Sequence, residues 1–416
     1  MMMNFLNSKL ARSIFSYISA VTISQSLMVV YTLGSIWWLN PQEYGLIAAN
    51  YATVTMLSFV ITLGLHEWLV RTIPGAQEPK VLTGNIVYYK LIVGVLWGLS
   101  IWLIMPLVQP EIYQKGLLAI IIIDIWLDSV FNLMLADLLA NERAQTTSIL
   151  LILSRALRLL SLGLIIILQS KSILLISLFR LISTFIILIF ALAQARPILR
   201  RDQIPEIARV LRYSLVFNTS ELFNLVFTQL DLNLITWING DPKLIGDFAI
   251  AINLINMIMT VPLAIVYLVL PSTLNIYRNA IEKFPQRLLK LLVGFILVGL
   301  ALWLGVGLFR LNWIQEILGK NYLSAINLLL LASPLLLIRT VNQFNRVYLF
   351  SVGWERKLLL PQMISILLKL ILGVLLIAKW AVTGLIWMSI AVDLFLLMGY
   401  FLYVVMHVRT ELKASV

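Results

Sequence analysis

The sequence predicts an all-α polytopic membrane protein of about 12 transmembrane helices, in two six-helix lobes related by a pseudo-two-fold axis. Three observations carry that expectation. Of 416 residues, 61% are hydrophobic and only 12% charged, against roughly 45–50% and 25% in soluble domains. The apolar residues gather in continuous stretches of the length that crosses a hydrocarbon core, about 20 residues each. The Lys and Arg residues fall unevenly between alternate loops. A water-soluble enzyme, a disordered scaffold and a nucleic-acid-binding domain are all excluded by this composition. Cysteine is absent, which removes disulfides and thiolate metal sites.

The predicted spans are 13–39, 45–70, 81–108, 116–140, 144–168, 171–195, 213–238, 246–270, 288–309, 322–350, 358–378 and 382–406. Membrane β-strands alternate over about 10 residues, whereas Leu162–Leu168 is continuously apolar. The first span follows a short polar start without an A-x-A site, and is expected to be retained rather than cleaved. Eighteen of the 31 Lys and Arg lie in the loops and tails on the side of the termini; six lie in the other loops and seven within spans. The positive-inside rule then places both termini in the cytoplasm. Most of the net charge of +12 therefore faces anionic inner-leaflet lipids.

The loops are short. The longest, about 196–212, is basic and divides an N-lobe (1–195) from a C-lobe (213–416). No loop holds a soluble catalytic domain, which needs at least about 50 residues, and no G-x-x-x-x-G-K-[ST] motif is present. The protein is not expected to be an enzyme. The histidines, His66 and His407, fall near span ends and read as interfacial side chains. The halves repeat: Trp37-Trp38-Leu39-Asn40-Pro41 leads to Gly45, and Trp237-Ile238-Asn239-Gly240-Asp241-Pro242 leads to Gly246. Six spans per half make this a parallel repeat about an axis along the membrane normal.

The pattern Asn40-Pro41-x-Glu43-Tyr44-Gly45, with Gly64 and Arg71 in and after the second span, resembles the polysaccharide (Wzx-type O-antigen) flippases. So do Pro271 and Leu318-Gly319-Lys320-Asn321-Tyr322. These flippases belong to the multidrug/oligosaccharidyl-lipid/polysaccharide exporter superfamily. The resemblance implies two lobes in a V around a central cavity. It also implies transfer of a polyprenyl-pyrophosphate-linked oligosaccharide from the cytoplasmic to the outer leaflet of a bacterial inner membrane, for cell-surface polysaccharide synthesis. A polysaccharide polymerase and glycosyltransferases are the expected neighbours, and the chain is expected to act as a monomer. No cofactor or metal is expected; coupling to protons, sodium or the membrane potential stays open. The alternatives are a multidrug or small-solute antiporter of the same superfamily and a non-transporting scaffold of a polysaccharide assembly complex. A major-facilitator transporter is third, but Arg71-Thr72-Ile73-Pro74-Gly75 lacks that family's signature.

The family carries no universal site signature, so the site is read from charges within spans. Each costs on the order of 2.5–3.5 kcal/mol at a helix centre and must pair or line a wet cavity. The bases are Lys90, Arg155, Arg158, Arg180, Arg339, Arg346 and Lys369; the acids are Asp124, Asp128, Asp137, Glu221, Asp231 and Asp393. Counting depth along the helices matches Asp128 with Arg155 and Asp124 with Arg158. The spacing puts each like-charged pair on one helix face. Such pairs either pin the helices or leave the arginines to hold a phosphate bidentately. Arg180 has no matching acid on span five and reads as a ligand contact; Arg339 is a further phosphate candidate. Lys369 and Asp393 match in depth as a structural pair. Asn218, Glu221, Asn224, Thr228 and Asp231 form one polar face of span seven, with Glu221 and Asp231 as ion-coupling candidates. Asn253, Asn256 and Thr260 repeat the stripe in span eight, and Arg339, Asn342 and Arg346 share a face of span ten. Trp126 reads as core packing before sugar stacking. Pro262 and Pro334 mark kinks.

Overall fold

The computed structural model describes residues 9–198, 206–308 and 319–414. Every regular element among them is helical. Packing groups the chain into two units: residues up to Leu39 with Ala49–Leu225, and Asn40–Ala48 with Val226 onward.

The first unit contains α1 (Lys9–Trp38), the later part of α2 (Pro41–Leu57), α3 (Phe59–Thr62), α4 (Leu65–Thr72), α5 (Pro79–Val108), α6 (Lys115–Ala140), α7 (Ala144–Ile167) and α8 (Ile173–Ala195). Its core is a cluster of buried aliphatic and aromatic side chains, among them Leu65, Leu69, Ile86, Phe131, Met134 and Ala191. The opposite faces carry large apolar residues in the open, as with Leu107 at 83% exposure and Ile167 at 76%. Such continuous apolar surface suits hydrocarbon rather than water.

The second span is broken. Pro41–Leu57 and the stretch Phe59–Gly75 bend by 41° where they meet at Ser58, and Leu63 (φ 41°) and Gly64 (φ 68°), successive left-handed residues, interrupt the second part again. Carbonyls freed at a break in hydrocarbon need new partners. The Trp97 indole donates to the Leu57 carbonyl at 2.8 Å, and the Thr62 hydroxyl donates to that of Ser58 at 3.0 Å.

The second unit contains the part of α9 (Glu206–Ile238) that follows Leu225, then α10 (Pro242–Ile258), α11 (Thr260–Asn279), α12 (Phe284–Leu308), α13 (Leu323–Ala332), α14 (Pro334–Ser351) and α15 (Leu359–Ala414). Leu291, Phe295 and Phe344 pack together within it. The span around Pro334 bends by 44°, and α10 and α11 part at Met259, three residues before Pro262. Both positions agree with proline removing a helix hydrogen bond.

Among the described residues, eight helices are long and apolar enough to cross a membrane, or ten when each bent pair counts once. Two further features lie between that figure and the expected 12. The described part of α9 includes the shorter apolar stretch Leu222–Ile238. The 56-residue α15 is two helices joined at Ala381 (φ 48°, ψ −127°). A Cβ placed on Gly384 would collide with the carbonyl of Leu376, and Gly399 lies against the ring of Pro361. Residues equally far on either side of position 380 thus face each other, as only a tight antiparallel hairpin allows. The protein is therefore a multi-pass membrane protein. Because Ala381 holds a backbone conformation that strains an L-residue by about 1–3 kcal/mol, Ala381→Gly is expected to raise stability by about 1 kcal/mol, read from thermal unfolding in detergent.

The start of α2 shows what the Asn-Pro-x-Glu pattern does. The Glu43 amide donates to Asn40 Oδ1 at 2.8 Å and the Asn40 amide donates to Glu43 Oε2 at 3.1 Å, a reciprocal capping box. Pro41 sits at the first helical position, where its missing N–H costs nothing. In α10, Asp241 caps through its bond from the Lys243 amide at 2.9 Å, again with proline in the first turn.

Candidate functional site

Asp124, Asp128, Arg155, Arg158 and Arg180 of the first unit gather between α2, α6, α7 and α8. Arg158, 3% exposed, pairs with Asp128, whose side chain is 29% exposed. Arg158 also donates to the Thr184 hydroxyl at 3.2 Å, and that hydroxyl donates to Asp124 Oδ1 at 2.6 Å. Asp124 Oδ2 accepts from the Tyr51 hydroxyl at 2.9 Å and forms an ion pair with Arg180 Nε at 3.0 Å. The Arg180 guanidinium lies over the Tyr51 ring, 3.9 Å from its centroid, where the ring's negative face adds to its stabilisation.

These contacts correct the pairing expected from depth. Asp128 takes Arg158 rather than Arg155, and Asp124 takes Arg180 rather than Arg158. Arg180 is not left for a ligand alone: it has its acid on span four, two helices back. Depth fixes the height of a charge but not which neighbouring helix faces it. Arg155 is half-buried and makes no hydrogen bond or ion pair among the described residues. It sits in the field of Arg158 and Asp128. Two carboxylates and three guanidiniums leave this cluster with one surplus positive charge.

The second unit holds a second pair of networks. Lys369 pairs with Asp231 at 2.6 Å, donates to the Phe227 carbonyl at 2.9 Å and lies over the Phe227 ring. Ser389 donates to the other Asp231 oxygen at 3.2 Å. Arg339 pairs with Asp393 at 2.9 Å. The expected Lys369–Asp393 pair is thus replaced by two pairs, each acid finding a base on another span. Asp231, read as an ion-coupling candidate, already has a fully buried counter-charge. Arg339, read as a phosphate candidate, is likewise matched, although its other arm reaches Asn256 Oδ1 at 3.4 Å.

The polar stripes divide. Asn253 donates to the Tyr44 hydroxyl at 2.8 Å, and Asn256 is exposed. Asn342 is buried and donates to the Asp393 carbonyl at 3.4 Å, so it fills packing rather than a lining. Asn224 is half-buried and Thr228 exposed. The side chains of Asn218 and Glu221 lie outside the described residues. Trp126 is a packing residue: its indole donates to the Lys90 carbonyl at 2.8 Å and occupies the space beside Gly94. His407 is buried rather than interfacial, with Nδ1 2.7 Å from the Tyr348 hydroxyl.

Sequence reasoning missed Tyr51 and Thr184, which tie the two acids of the first unit to its arginines. A lone tyrosine or threonine in an apolar helix carries no signal of its own. Two cavities also lie within the first unit. One, of about 730 Å³, is at the end with the basic loops, beside Lys80, Arg143, Arg196, Glu78 and Asp137. The other, of about 320 Å³, lies at the break in span two.

The fold has solved counterparts. A multidrug resistance MATE family transporter of the MOP superfamily, inward-facing, superposes with a TM-score of 0.77 at 13% identity, over 96% of this chain and 100% of that one. The lipid II flippase MurJ in an inward closed conformation gives a TM-score of 0.77 at 12% identity, over 93% of this chain and 87% of the other. A MOP superfamily transporter from Pyrococcus furiosus gives 0.63 at 14% identity, covering 97% of each chain. No curated protein matches at the level of sequence. The profile described as "Polysaccharide biosynthesis protein" matches residues 38–327, well over half of the chain. With the capping box, the proline-led helix starts and the buried arginine cluster inside that match, the chain belongs to this polysaccharide biosynthesis protein family.

Proposed function

We propose that the protein is a flippase that carries a polyprenyl-pyrophosphate-linked oligosaccharide from the cytoplasmic to the outer leaflet of a bacterial inner membrane by alternating access. Both termini and the basic loops face the cytoplasm and its anionic lipids, where a polymerase and glycosyltransferases would meet the carrier. The observation that carries this reading is Arg155: a half-buried guanidinium without a partner among the described residues, in a cluster with one surplus positive charge. A planar five-donor fork in a low-dielectric site suits a phosphate oxygen pair. The same surplus disfavours a cationic drug as cargo, and the family match supports a glycan. Arg158 and Arg180, each matched by its own acid, then contribute long-range attraction.

The test is transfer of a polyprenyl-pyrophosphoryl oligosaccharide between leaflets of proteoliposomes. Arg155→Gln is expected to slow transfer roughly 10-fold or more, the loss of a charge-assisted hydrogen bond, with unfolding temperature unchanged because no internal partner is abandoned. Unaltered transfer in Arg155→Gln, and in the triple variant neutral at 155, 158 and 180, would overturn the reading. A scaffold would move nothing even in the parent protein.

A further inference from the structure

The break in span two opens a cavity of about 320 Å³ between α3–α4, α5 and α6. Lys90, 3% exposed, ends in it. Its ammonium has three N–H donors, and among the described residues it makes one hydrogen bond, to the Ser129 carbonyl at 2.9 Å. A buried ammonium with donors unspent is costly unless something fills the space beside it. The other polar walls offer mainly acceptors. His66 Nδ1 lies 3.0 Å from the Asn132 carbonyl and must donate to it, which leaves Nε2 as an acceptor on the neutral ring. Thr62 spends its proton on the Ser58 carbonyl and keeps its lone pairs. Glu67 adds a carboxylate, and Asn132 an amide.

Lysine and glutamate together make the cavity neutral, so it holds no net attraction for a free anion or a metal cation. Donors on one wall and acceptors on the others fit a ligand carrying both at every edge, which is the property of a sugar ring. The volume falls at the lower end of small-molecule sites, about 300–1,000 Å³, and suits one monosaccharide. The cavity also touches the arginine cluster: Asn132 donates to Asp128 Oδ2 at 3.1 Å, and Asp128 is the partner of Arg158.

We propose that the Lys90 cavity is a sugar subsite, which takes one monosaccharide of the glycan while the carrier's phosphates lie at Arg155. The assignment rests on the flippase reading for where the sugar comes from, but its test does not. Methyl glucoside and methyl N-acetylglucosaminide are titrated against the full-length protein in detergent, with saturation-transfer NMR as the readout. At least one glycoside is expected to receive saturation. Lys90→Gln, which keeps a donor for the Ser129 carbonyl, is expected to cut that signal about 10-fold, and Arg155→Gln to leave it intact. Asn132→Ala, at an exposed position whose side chain gives up its bond to Asp128 inside the protein, is expected to cut it as well. No saturation in the parent protein, or a signal indifferent to both Lys90→Gln and Asn132→Ala, overturns the subsite. A flippase without the subsite would lose transfer in Arg155→Gln and bind no glycoside at this cavity. A sugar subsite in a protein that is not a flippase would show the reverse.

Discussion

Replacing Lys369 with methionine is expected to cost about 3–5 kcal/mol of stability, the penalty for stranding one member of a buried ion pair. Methionine keeps the length and most of the volume of the side chain, so little of that loss comes from a void. Lys369 is fully buried, and Asp231 is 4% exposed. Without the ammonium, Asp231 keeps the Ser389 hydroxyl at 3.2 Å as its hydrogen-bond donor. Desolvation of an anion is not offset by one neutral donor. The double variant Lys369→Met with Asp231→Leu is expected to recover most of the loss, since well-packed apolar residues often replace a buried pair at no net cost. Thermal unfolding in detergent of both single variants and the double variant measures the coupling. A neutral effect of Lys369→Met alone would mean that the pair is not closed in the folded protein. The double variant also bears on coupling. Leaflet transfer that survives in it would remove Asp231 as the group through which a proton or sodium drives transport.

Helix periodicity, loop chemistry and depth were readable in the sequence because each is local. The turn between the last two spans is an instance: Lys379, Trp380 and Ala381 interrupt an apolar run, and the chain reverses there. Pro334 gave a bend for the same reason, a local loss of a donor. The breaks at Ser58 and at Leu63–Gly64 left no such mark, since a serine and a Leu-Gly-Leu step are both ordinary within an apolar helix, and the Leu57 carbonyl freed at the first is met by Trp97 from another span. The site was legible as a set of charges and illegible as a set of pairs. A charge buried in hydrocarbon must be neutralised, and the sequence tells its height to within a turn. Which of several helices supplies the partner depends on helix rotation and neighbour choice, which no single segment encodes. Arg180 with Asp124, Lys369 with Asp231 and Arg339 with Asp393 are all pairs between spans that are not consecutive. The same reasoning hid the Lys90 cavity, because its walls come from three spans and a helix break.

The repeated Pro-x3-Gly step predicts a second large effect. The N-terminal turns of α2 and α10, both within the second unit, cross at their glycines. A Cβ on Gly45 would run into the Pro242 carbonyl, and one on Gly246 into the Pro41 carbonyl. Each half of the repeat therefore presents its proline carbonyl to the other's glycine, which is what two-fold related turns in direct contact must do. The colliding atoms are backbone, so no rotamer change relieves the clash; one helix has to move. The capping box at Asn40 and Glu43 and the cap at Asp241 hold both helix starts in place, leaving little slack. Gly45→Ala and Gly246→Ala are each expected to destabilise by about 1–3 kcal/mol, the usual range for overpacking. The double variant is expected to lose clearly less than the sum, because the separation forced by one methyl already makes room for the other. Denaturant unfolding of the three variants decides it. Strict additivity would mean that each methyl strains its surroundings independently, and that the two glycines do not share one crossing.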